Sequence, residues 1–379
     1  MSKKLCYVLP QYDARSSEHF FHIYELIENV SQLTDLFLVV ERATSPPPFK
    51  AIRNTYVLRF SKSILGFIER FIMFTIIRFK GYRMFYVHQS YSSAIASALV
   101  TRLSRGQTFY WHCGPKKEYM SKWALNMKAI KAKLFDDYAF LASIWLVTFL
   151  VTGSETMRHY YAINFGLPKA KIKVMPNWVN LKRFDTSKYN REQARQELHL
   201  ETNQKVVLFV HWISPRKGAQ HLVRIALEVR RSIPNVLFLI VGTGPYAETL
   251  KREITENGVE DSFRLVGSVP NRELSKYYSV ADLLIMPSEE EGFPRVILET
   301  MAAGVPFVAT DVGSMMEIAT ESQKPYVIPK DNIPAFIDSI VRLLENNKLR
   351  AELGSEGINR VKEFSLEKVT KIFCHNLEL

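Results

Sequence analysis

The sequence predicts an α/β protein with two doubly wound domains. Short apolar runs that end in turn residues alternate with longer segments whose apolar residues recur at helical spacing, which is typical of parallel sheets covered by helices. The chain has 379 residues, more than one hydrophobic core usually serves. Hydrophobic residues make up 47% of it, which is enough for two cores and argues against a disordered chain.

The first half of the chain opens with a βαβ unit. Residues 5–10 predict a strand, residues 20–30 an amphipathic helix, and residues 36–40 the next strand. Further strands are predicted at 84–88 and 108–112. His112 ends the last of these, and the carboxyl ends of parallel strands are where open α/β sheets bind ligands.

Residues 63–80 are rich in aromatic and aliphatic side chains. The favoured interpretation is a helix packed on the sheet. The second interpretation is a helix that lies in a membrane interface.

In the second half, strands are predicted at 204–210, 235–241 and 262–268, and residues 281–304 read as strand, tight loop and helix. Glu291 lies in that loop and Glu299 on the helix that follows. Free backbone amides in the loop and at the helix N-terminus form an anion site. Two carboxylates at this spacing can each bind a pair of sugar hydroxyls while the amides hold phosphate, which indicates a nucleotide-sugar.

Residues 291–306 read Glu-Gly-Phe-Pro-x-Val-x-Leu-Glu-x-Met-Ala-x-Gly-x-Pro. This string closely resembles the donor signature of retaining glycosyltransferases of the GT-B fold, in particular those of family 4. The resemblance implies two Rossmann-like domains that face each other across a cleft, with the acceptor bound by the first and the donor by the second. Residues 1–185 would form the first domain, residues 186–361 the second, and a helix at about 362–379 would cross back.

The resemblance implies transfer of a hexosyl group from a UDP- or GDP-linked sugar, with retention of anomeric configuration, and assigns two groups of residues to this reaction. The expected catalytic residues are His112, Arg216, Lys217 and Glu291. The expected donor-binding residues are Gly242, Gly244, Val269, Gly292, Phe293, Pro294, Val296 and Glu299.

Three segments depart from the family pattern. Arg15-Ser16-Ser17 stands where members usually carry a Gly-Gly pair, Trp212 stands where many carry an arginine, and Asn177-Trp178 replaces the usual Asn-Gly. Arg216 is the only guanidinium near Lys217 in the sequence, so the two together are expected to neutralise the departing diphosphate.

Gly242, Gly244 and Ala247 also fit a dinucleotide-binding fingerprint. In a nicotinamide enzyme, the following strand should end in an acidic residue that binds ribose, and residues 262–268 end without one. A nicotinamide dehydrogenase is therefore disfavoured.

Positive charge is concentrated in the first half. The chain carries +12 overall, with +14 in residues 1–185 and −2 in the remainder. Lysines between 116 and 133 alternate with Tyr119, Trp123 and Leu134, a pattern suited to anionic head groups or a lipid pyrophosphate. The alternatives are a phosphorylated acceptor or a solvated basic face. Charge alone would also allow nucleic acid, but no known binding motif is present, so no nucleic-acid partner is expected.

The sequence contains no Asp-x-Asp motif, so no metal-bridged diphosphate and no cofactor are expected. Three distant cysteines suggest no disulfide framework, and residues 1–10 read as a strand rather than a signal peptide. The expected enzyme is cytoplasmic, peripheral on the inner face of the cytoplasmic membrane, and builds a cell-surface polysaccharide on a lipid-linked or oligosaccharide acceptor. The alternative is a soluble glycosyltransferase of small metabolites.

Overall fold

The computed structural model describes residues 3–13, 21–47, 49, 52–60, 63–114 and 127–379, with the backbone alone over 127–135. Contacts divide the chain into two compact units, Met1–Pro176 with Glu367–Leu379, and Asn177–Leu366. This division falls at residue 176, whereas the boundary predicted from the sequence falls at residue 185.

The first unit contains a seven-stranded sheet whose described strand pairs are all parallel, in the order β3-β2-β1-β4-β5-β6-β7. Its strands are β1 (Lys4–Leu9), β2 (Asp35–Val40), β3 (Asn54–Val57), β4 (Met84–His88), β5 (Gln107–Trp111), β6 (Phe149–Thr152) and β7 (Ile172–Val174). Its helices are α1 (Phe21–Ser31), α2 (Ile64–Phe79), α3 (Tyr91–Leu103), α4 (Met127–Leu146) and α5 (Glu155–Phe165).

Strands of the first sheet are apolar along their whole length because helices cover both faces of a parallel sheet. In β1 every residue from Leu5 to Leu9 is buried. On one face Phe74 of α2 packs edge-on against Phe85 of β4, with ring centroids 5.5 Å apart. On the other face lies Phe373, from the last helix of the chain, 4.7 Å from Tyr86. The last helix of the chain therefore packs in the first unit.

The second unit contains a six-stranded parallel sheet in the order β10-β9-β8-β11-β12-β13. Its strands are β8 (Lys205–Val210), β9 (Val236–Val241), β10 (Phe263–Gly267), β11 (Leu283–Met286), β12 (Phe307–Thr310) and β13 (Val327–Ile328). The remaining helices are α6 (Arg191–Glu197), α7 (Leu222–Ser232), α8 (Ala247–Glu256), α9 (Leu274–Val280), α10 (Arg295–Ala302), α11 (Met315–Ile318), α12 (Ile333–Glu345), α13 (Asn347–Val361) and α14 (Leu366–Asn376), the last of which returns to the first unit.

Both sheets reverse their strand order beside their first strand. The order turns between β1 and β4 in the first unit, and between β8 and β11 in the second. A crevice opens at such a switch point, because the loops after the two neighbouring strands run in opposite directions. Two Rossmann-like sheets confirm the predicted fold class. In the part of the chain that the structure describes, no helix has both the length and the apolar character needed to cross a bilayer.

Candidate functional site

The switch point of the second sheet brings together the loops that follow β8 and β11. Gly218 is in the left-handed region, with φ of 75°, and a Cβ atom there would lie 1.9 Å from the carbonyl oxygen of Pro287. Only glycine allows the two backbones to approach this closely. The close contact places Lys217, from the first loop, beside Glu291, from the second.

Three groups converge on one oxygen of Glu291. The Oε1 atom lies 2.6 Å from Nζ of Lys217, 2.9 Å from Nε2 of His211 and 3.1 Å from Oγ of Ser288. Lys217 also donates to the carbonyl oxygen of Glu290 over 3.4 Å. An ammonium group has three N–H donors, so one donor of Lys217 remains beyond these two bonds.

The pairing controls the charge of this cluster. Burial raises the pKa of the Glu291 carboxyl, but the charge of Lys217 and the hydrogen bond from His211 outweigh that effect and lower the pKa to about 2. Burial lowers the pKa of Lys217, and the carboxylate of Glu291 opposes this shift. With its partner carboxylate ionised at 2.6 Å, Lys217 is held as the ammonium form at neutral pH.

His211 was not singled out in the sequence, although it comes directly after β8 and the rule applied to His112 would have found it. Its Nδ1 accepts a hydrogen bond of 3.0 Å from the backbone N–H of Trp212. A neutral ring that accepts at Nδ1 carries its proton at Nε2 and therefore donates to Glu291. Burial lowers the pKa of His211, which keeps the ring neutral.

The loop after β11 ends at the N-terminus of α10. Pro294 caps the helix without any side-chain hydrogen bond to the first amides, so those N–H groups are not satisfied by a cap. Ser314 donates to the carbonyl oxygen of Gly292 over 2.7 Å, and Asn177 donates to that of Phe293 over 2.7 Å. These bonds fix the loop in the conformation that exposes a helix N-terminus suited to an anion.

Glu299 lies in the second turn of α10 and is buried. Its carboxylate accepts hydrogen bonds from Nη2 of Arg295 and from the hydroxyl of Tyr278, both over 3.2 Å. Burial raises the pKa of Glu299, and Arg295 and Tyr278 partly oppose this shift. Val296, one turn before it, is half-buried.

Gly242 and Gly244 have a packing role in this unit. A Cβ atom at Gly242 would lie 1.9 Å from the carbonyl oxygen of His211, and one at Gly244 would lie 2.2 Å from that of Ile213. Both glycines thus let the loop after β9 press on the loop that carries Lys217. Their predicted contact with the donor stays a prediction, as does that of Val269, which follows β10 at the far side of the sheet.

Arg216 is exposed, and its carbonyl oxygen accepts a 3.0 Å hydrogen bond from the backbone of Glu289 in the neighbouring loop. The structure thus places Arg216, Lys217, Glu291 and Gly292 on the two loops of one switch point. The role predicted for each of them remains untested.

His112 belongs to the first unit, directly after β5. Its Nδ1 lies 2.6 Å from the hydroxyl of Tyr161, and that hydroxyl donates to the carbonyl oxygen of Gly114 over 3.0 Å. Since the hydroxyl proton is used there, the ring donates from Nδ1 and a neutral His112 carries its lone pair at Nε2. The residues 14–20 and 115–126, which include Arg15-Ser16-Ser17 and the first predicted membrane-contact lysines, lie outside the described residues.

Two Rossmann-like sheets, together with the loop after β11 that resembles the donor signature, indicate a glycosyltransferase of the GT-B fold. Residues 190–360, a little under half of the chain, match the model of the family described as glycosyl transferases group 1. The resemblance predicted from the sequence is confirmed at this level, whereas the narrower family 4 assignment stays a prediction.

Among curated proteins, the chain is 31% identical over 219 residues to a GDP-mannose-dependent alpha-(1-6)-phosphatidylinositol monomannoside mannosyltransferase of Mycolicibacterium smegmatis, covering 56% of each chain. It is 33% identical to a D-inositol 3-phosphate glycosyltransferase of Segniliparus rotundus, covering 56% of this chain and 46% of the other. The matched region thus spans about half the length of these relatives.

Solved structures show the same fold along nearly the whole chain. Anabaena HepE in complex with UDP has a TM-score of 0.77 at 18% identity and covers 99% of both chains. WaaG, a glycosyltransferase involved in lipopolysaccharide biosynthesis, has a TM-score of 0.72 at 15% identity and covers 97% of both chains. The GT-B fold predicted from the sequence is confirmed.

Proposed function

We propose that the protein is a retaining glycosyltransferase that moves a hexosyl group from a UDP- or GDP-linked sugar to a lipid-linked or oligosaccharide acceptor. The observation that carries the proposal is the buried Lys217–Glu291 pair, 2.6 Å apart, at the switch point of the second sheet and beside the N-terminus of α10. A fixed cation and a row of helix amides suit a leaving group that gains negative charge.

Each residue of the site has a task in this proposal. The remaining N–H donor of Lys217 binds a phosphate oxygen, and the amides after Gly292 bind another. Glu291 accepts hydroxyls of the sugar while His211 holds the carboxylate in place. Glu299 accepts the ribose hydroxyls. As the bond from the anomeric carbon to the diphosphate breaks, Lys217 and Arg216 stabilise the charge that develops on the phosphate.

The first unit would bind the acceptor, with His112 near the reacting sugar. The net charge of +14 over residues 1–185, most of which lie in this unit, suits an anionic acceptor or an anionic membrane surface. The names of two relatives support this choice, since one is a phosphatidylinositol monomannoside mannosyltransferase and the other a D-inositol 3-phosphate glycosyltransferase. The enzyme would then work at the inner face of the cytoplasmic membrane during surface-glycan assembly.

A thermal-shift screen tests the donor class. A ligand that binds only the folded state at 100 times its Kd adds about 2.7 kcal/mol of stability, so UDP, GDP or a sugar derivative of one of them should raise Tm. NAD should leave Tm unchanged, because the GxGxxA pattern follows β9, the second strand of its sheet, and not the first. A Tm raised by NAD alone would overturn the proposal.

A transfer assay with the donor so identified tests the reaction. The anomeric configuration of the product, read from proton NMR couplings, should match that of the donor. Because Lys217 and Arg216 carry the charge of the leaving group, EDTA should change the rate by less than about twofold. An inverted product, or EDTA inhibition that magnesium or manganese reverses, would contradict the mechanism. Transfer to small soluble metabolites in place of lipid-linked acceptors would favour the alternative function.

A further inference from the structure

The outer face of α2 is an exposed apolar stripe. Ile64 is 82% exposed and Phe79 is 88% exposed, at opposite ends of the helix. Residues between them at steps of three and four are also exposed, which places them along one side of the helix. We call the stripe the α2 face, and it consists of Ile64, Leu65, Ile68, Ile72, Ile76 and Phe79.

The inner side of α2 is fixed to the sheet, so the helix cannot turn its stripe inward. Phe74 and Ile77 are fully buried in the core. Arg70, which is 1% exposed, pairs with Glu41 over 3.1 Å and donates to Ser93 over 3.0 Å. The apolar stripe is therefore a permanent surface of this unit and not the result of a loosely held helix.

The chain around α2 is strongly basic. Residues 51–105 contain nine lysines and arginines and one acidic residue, a net charge of +8. Arg59 before the helix, and Lys80 and Arg83 after it, are exposed. Positive side chains thus lie at both ends of the apolar stripe.

The single acidic residue of this region, Glu69, is already counted in the +8, and its carboxylate is held by the segment before α2. Glu69 accepts hydrogen bonds from the backbone N–H groups of Arg59, over 2.9 Å, and Phe60, over 2.9 Å, and from the hydroxyl of Tyr56 over 2.8 Å. Burial raises the pKa of Glu69, but the hydrogen bonds from the backbone and from Tyr56, together with the charge of Arg70, outweigh it and leave the pKa below its ordinary value. The carboxylate is thus used to fasten the segment before α2 onto the helix.

We propose that the α2 face is a membrane-docking surface, which inserts its aliphatic and aromatic side chains into the boundary of an anionic phospholipid bilayer. A helix with one apolar side and flanking cations lies parallel to such a surface, with the cations at the head groups. Pairing of two copies of this chain through the face is disfavoured, since each copy would bring its exposed Arg59, Lys80 and Arg83 against their like. This surface would provide the membrane contact of the proposed function, and it rests on the proposed function only for the location at a membrane.

The α2 face is a second membrane contact, beside the one predicted from the sequence at the lysines of 116–133. The side chains of that lysine segment lie outside the described residues, whereas the α2 face is fully described. The favoured sequence interpretation, a helix packed on the sheet, holds for the inner side of α2. The second interpretation applies to its outer side.

Flotation of the full chain with vesicles of phosphatidylcholine and phosphatidylglycerol in a 7:3 ratio tests the proposal. A stripe variant carries Ile68→Gln, Ile72→Gln, Ile76→Gln and Phe79→Gln, because glutamine preserves helix propensity. The control variant carries Leu33→Gln, Ile163→Gln and Ile358→Gln, which are exposed apolar positions elsewhere. A charge variant carries Arg59→Gln, Lys80→Gln and Arg83→Gln.

The wild type and the control variant should float, and the stripe variant should lose at least tenfold in vesicle affinity at any salt concentration. The charge variant should lose affinity mainly at low salt, because salt screens the attraction of exposed charges. The proposal is overturned if the wild type fails to float, if the stripe variant floats equally well, or if sedimentation shows a wild-type dimer that the stripe changes dissociate.

A reporter variant keeps the test decisive if the stripe variant does not fold. The fluorescence of Ile72→Trp should shift to the blue with these vesicles and be quenched by brominated lipids, whereas Ile163→Trp should change little. Equal responses at both positions would refute docking through α2. Binding of UDP and GDP without vesicles should be the same in every folded variant. A wild type that floats but binds no nucleotide would overturn the proposed transferase activity and leave the docking surface standing.

Discussion

The two units share a strand topology but carry different chemistry at the same place. In each sheet the order reverses beside the first strand, between β1 and β4 or between β8 and β11. In the second unit the loops at this point supply a buried ion pair, Lys217 with Glu291. In the first unit β4 ends in His88, which stacks on Trp111 with ring centroids 4.5 Å apart. Burial and the neighbouring His112 lower the pKa of His88 to about 3, so this edge carries a neutral ring.

Positive charge lies on an exposed surface in one half of the chain and in a buried site in the other. Residues 1–185 carry +14, and their exposed cations around α2 are spread over a surface. Residues 186–379 carry −2, yet this half holds a cation fixed in a buried site. Net charge therefore indicates which half of the chain would suit an extended anionic partner, whereas the residues that follow two neighbouring strands decide where a single phosphate group would bind.

Loss of the buried cation should have the largest effect. We expect Lys217→Ala to lower kcat/KM by about 100–1,000-fold, because a fixed charge at the developing diphosphate is lost. Lys348→Ala, at an exposed lysine of the same unit, is the control and should have little effect. Steady-state kinetics with the donor found in the thermal screen measures the difference. If a folded Lys217→Ala enzyme loses less than about fivefold in kcat/KM, the cluster of Lys217, Glu291 and His211, the second-unit site, takes no part in the mechanism.

The pKa of Glu291 predicts how the same pair contributes to stability. The carboxyl has a pKa of about 2 in the folded protein against an ordinary value of 4.5. Because this pKa is lowered, the ionised form stabilises the fold above pH 4.5, and the contribution is lost as the pH falls toward 2. It is worth about 3 kcal/mol.

Urea unfolding of the wild type and Glu291→Gln measures this contribution. The wild type should be the more stable at pH 6, and its advantage should shrink by about 3 kcal/mol as the pH approaches 2. Glu260→Gln, at an exposed position of the same unit, should show no such change. An advantage that is constant with pH would mean that Glu291 is not held as a carboxylate by Lys217.

The fold could be predicted from the sequence, and so could the loops that carry Lys217 and Glu291, because strands and the loops after them are visible in local residue patterns. The apolar run Met84–His88 was predicted as a strand and is one. Asn54–Val57, Ile172–Val174 and Val327–Ile328 were not identified as strands, since two to four residues at or near a sheet edge have too little pattern.

Contacts between distant residues could not be predicted in the same way. Lys217 and Glu291 were each identified from their loops, but the bond between them joins residues 74 positions apart. The hydrogen bonds of Glu299 with Tyr278 and Arg295 were not expected, because the sequence does not show in which direction a carboxylate on a helix points. For α2, apolar residues occur on every side of the helix, so composition alone did not show which side the core would leave exposed.

Glu299 should matter for donor binding and less for the reaction step. Glu299→Gln removes a charged acceptor from the ribose hydroxyls and should weaken nucleotide binding by about 1.5–3 kcal/mol, roughly 10–150-fold. Because the pKa of Glu299 is raised, affinity in the wild type should also begin to fall at a higher pH than an ordinary glutamate would give. Calorimetric titration from pH 7 to pH 4.5 measures both effects, and unchanged affinity in the folded variant would refute the assignment.

His211 was not predicted from the sequence, and its replacement should have the smallest effect. The neutral ring donates one hydrogen bond from Nε2 to Oε1 of Glu291, an oxygen that also accepts from Lys217 and Ser288, so its loss should cost no more than about 1.5 kcal/mol, the low end for hydrogen bonds to a charged group. His211→Ala should therefore lower kcat/KM by up to about tenfold, mostly through kcat, because Glu291 keeps its charge but loses part of its positioning.

His211→Gln tests whether donation is the reason, since the glutamine amide can supply an N–H near the position of Nε2. This variant should recover most of the lost rate, and His375→Ala, at an exposed histidine of the first unit, should behave as wild type. If glutamine fails to rescue while both variants melt at the wild-type temperature, hydrogen-bond donation is not what His211 contributes. If the alanine variant is fully active, Lys217 and Ser288 alone position Glu291, and the second-unit site is a pair rather than a triad.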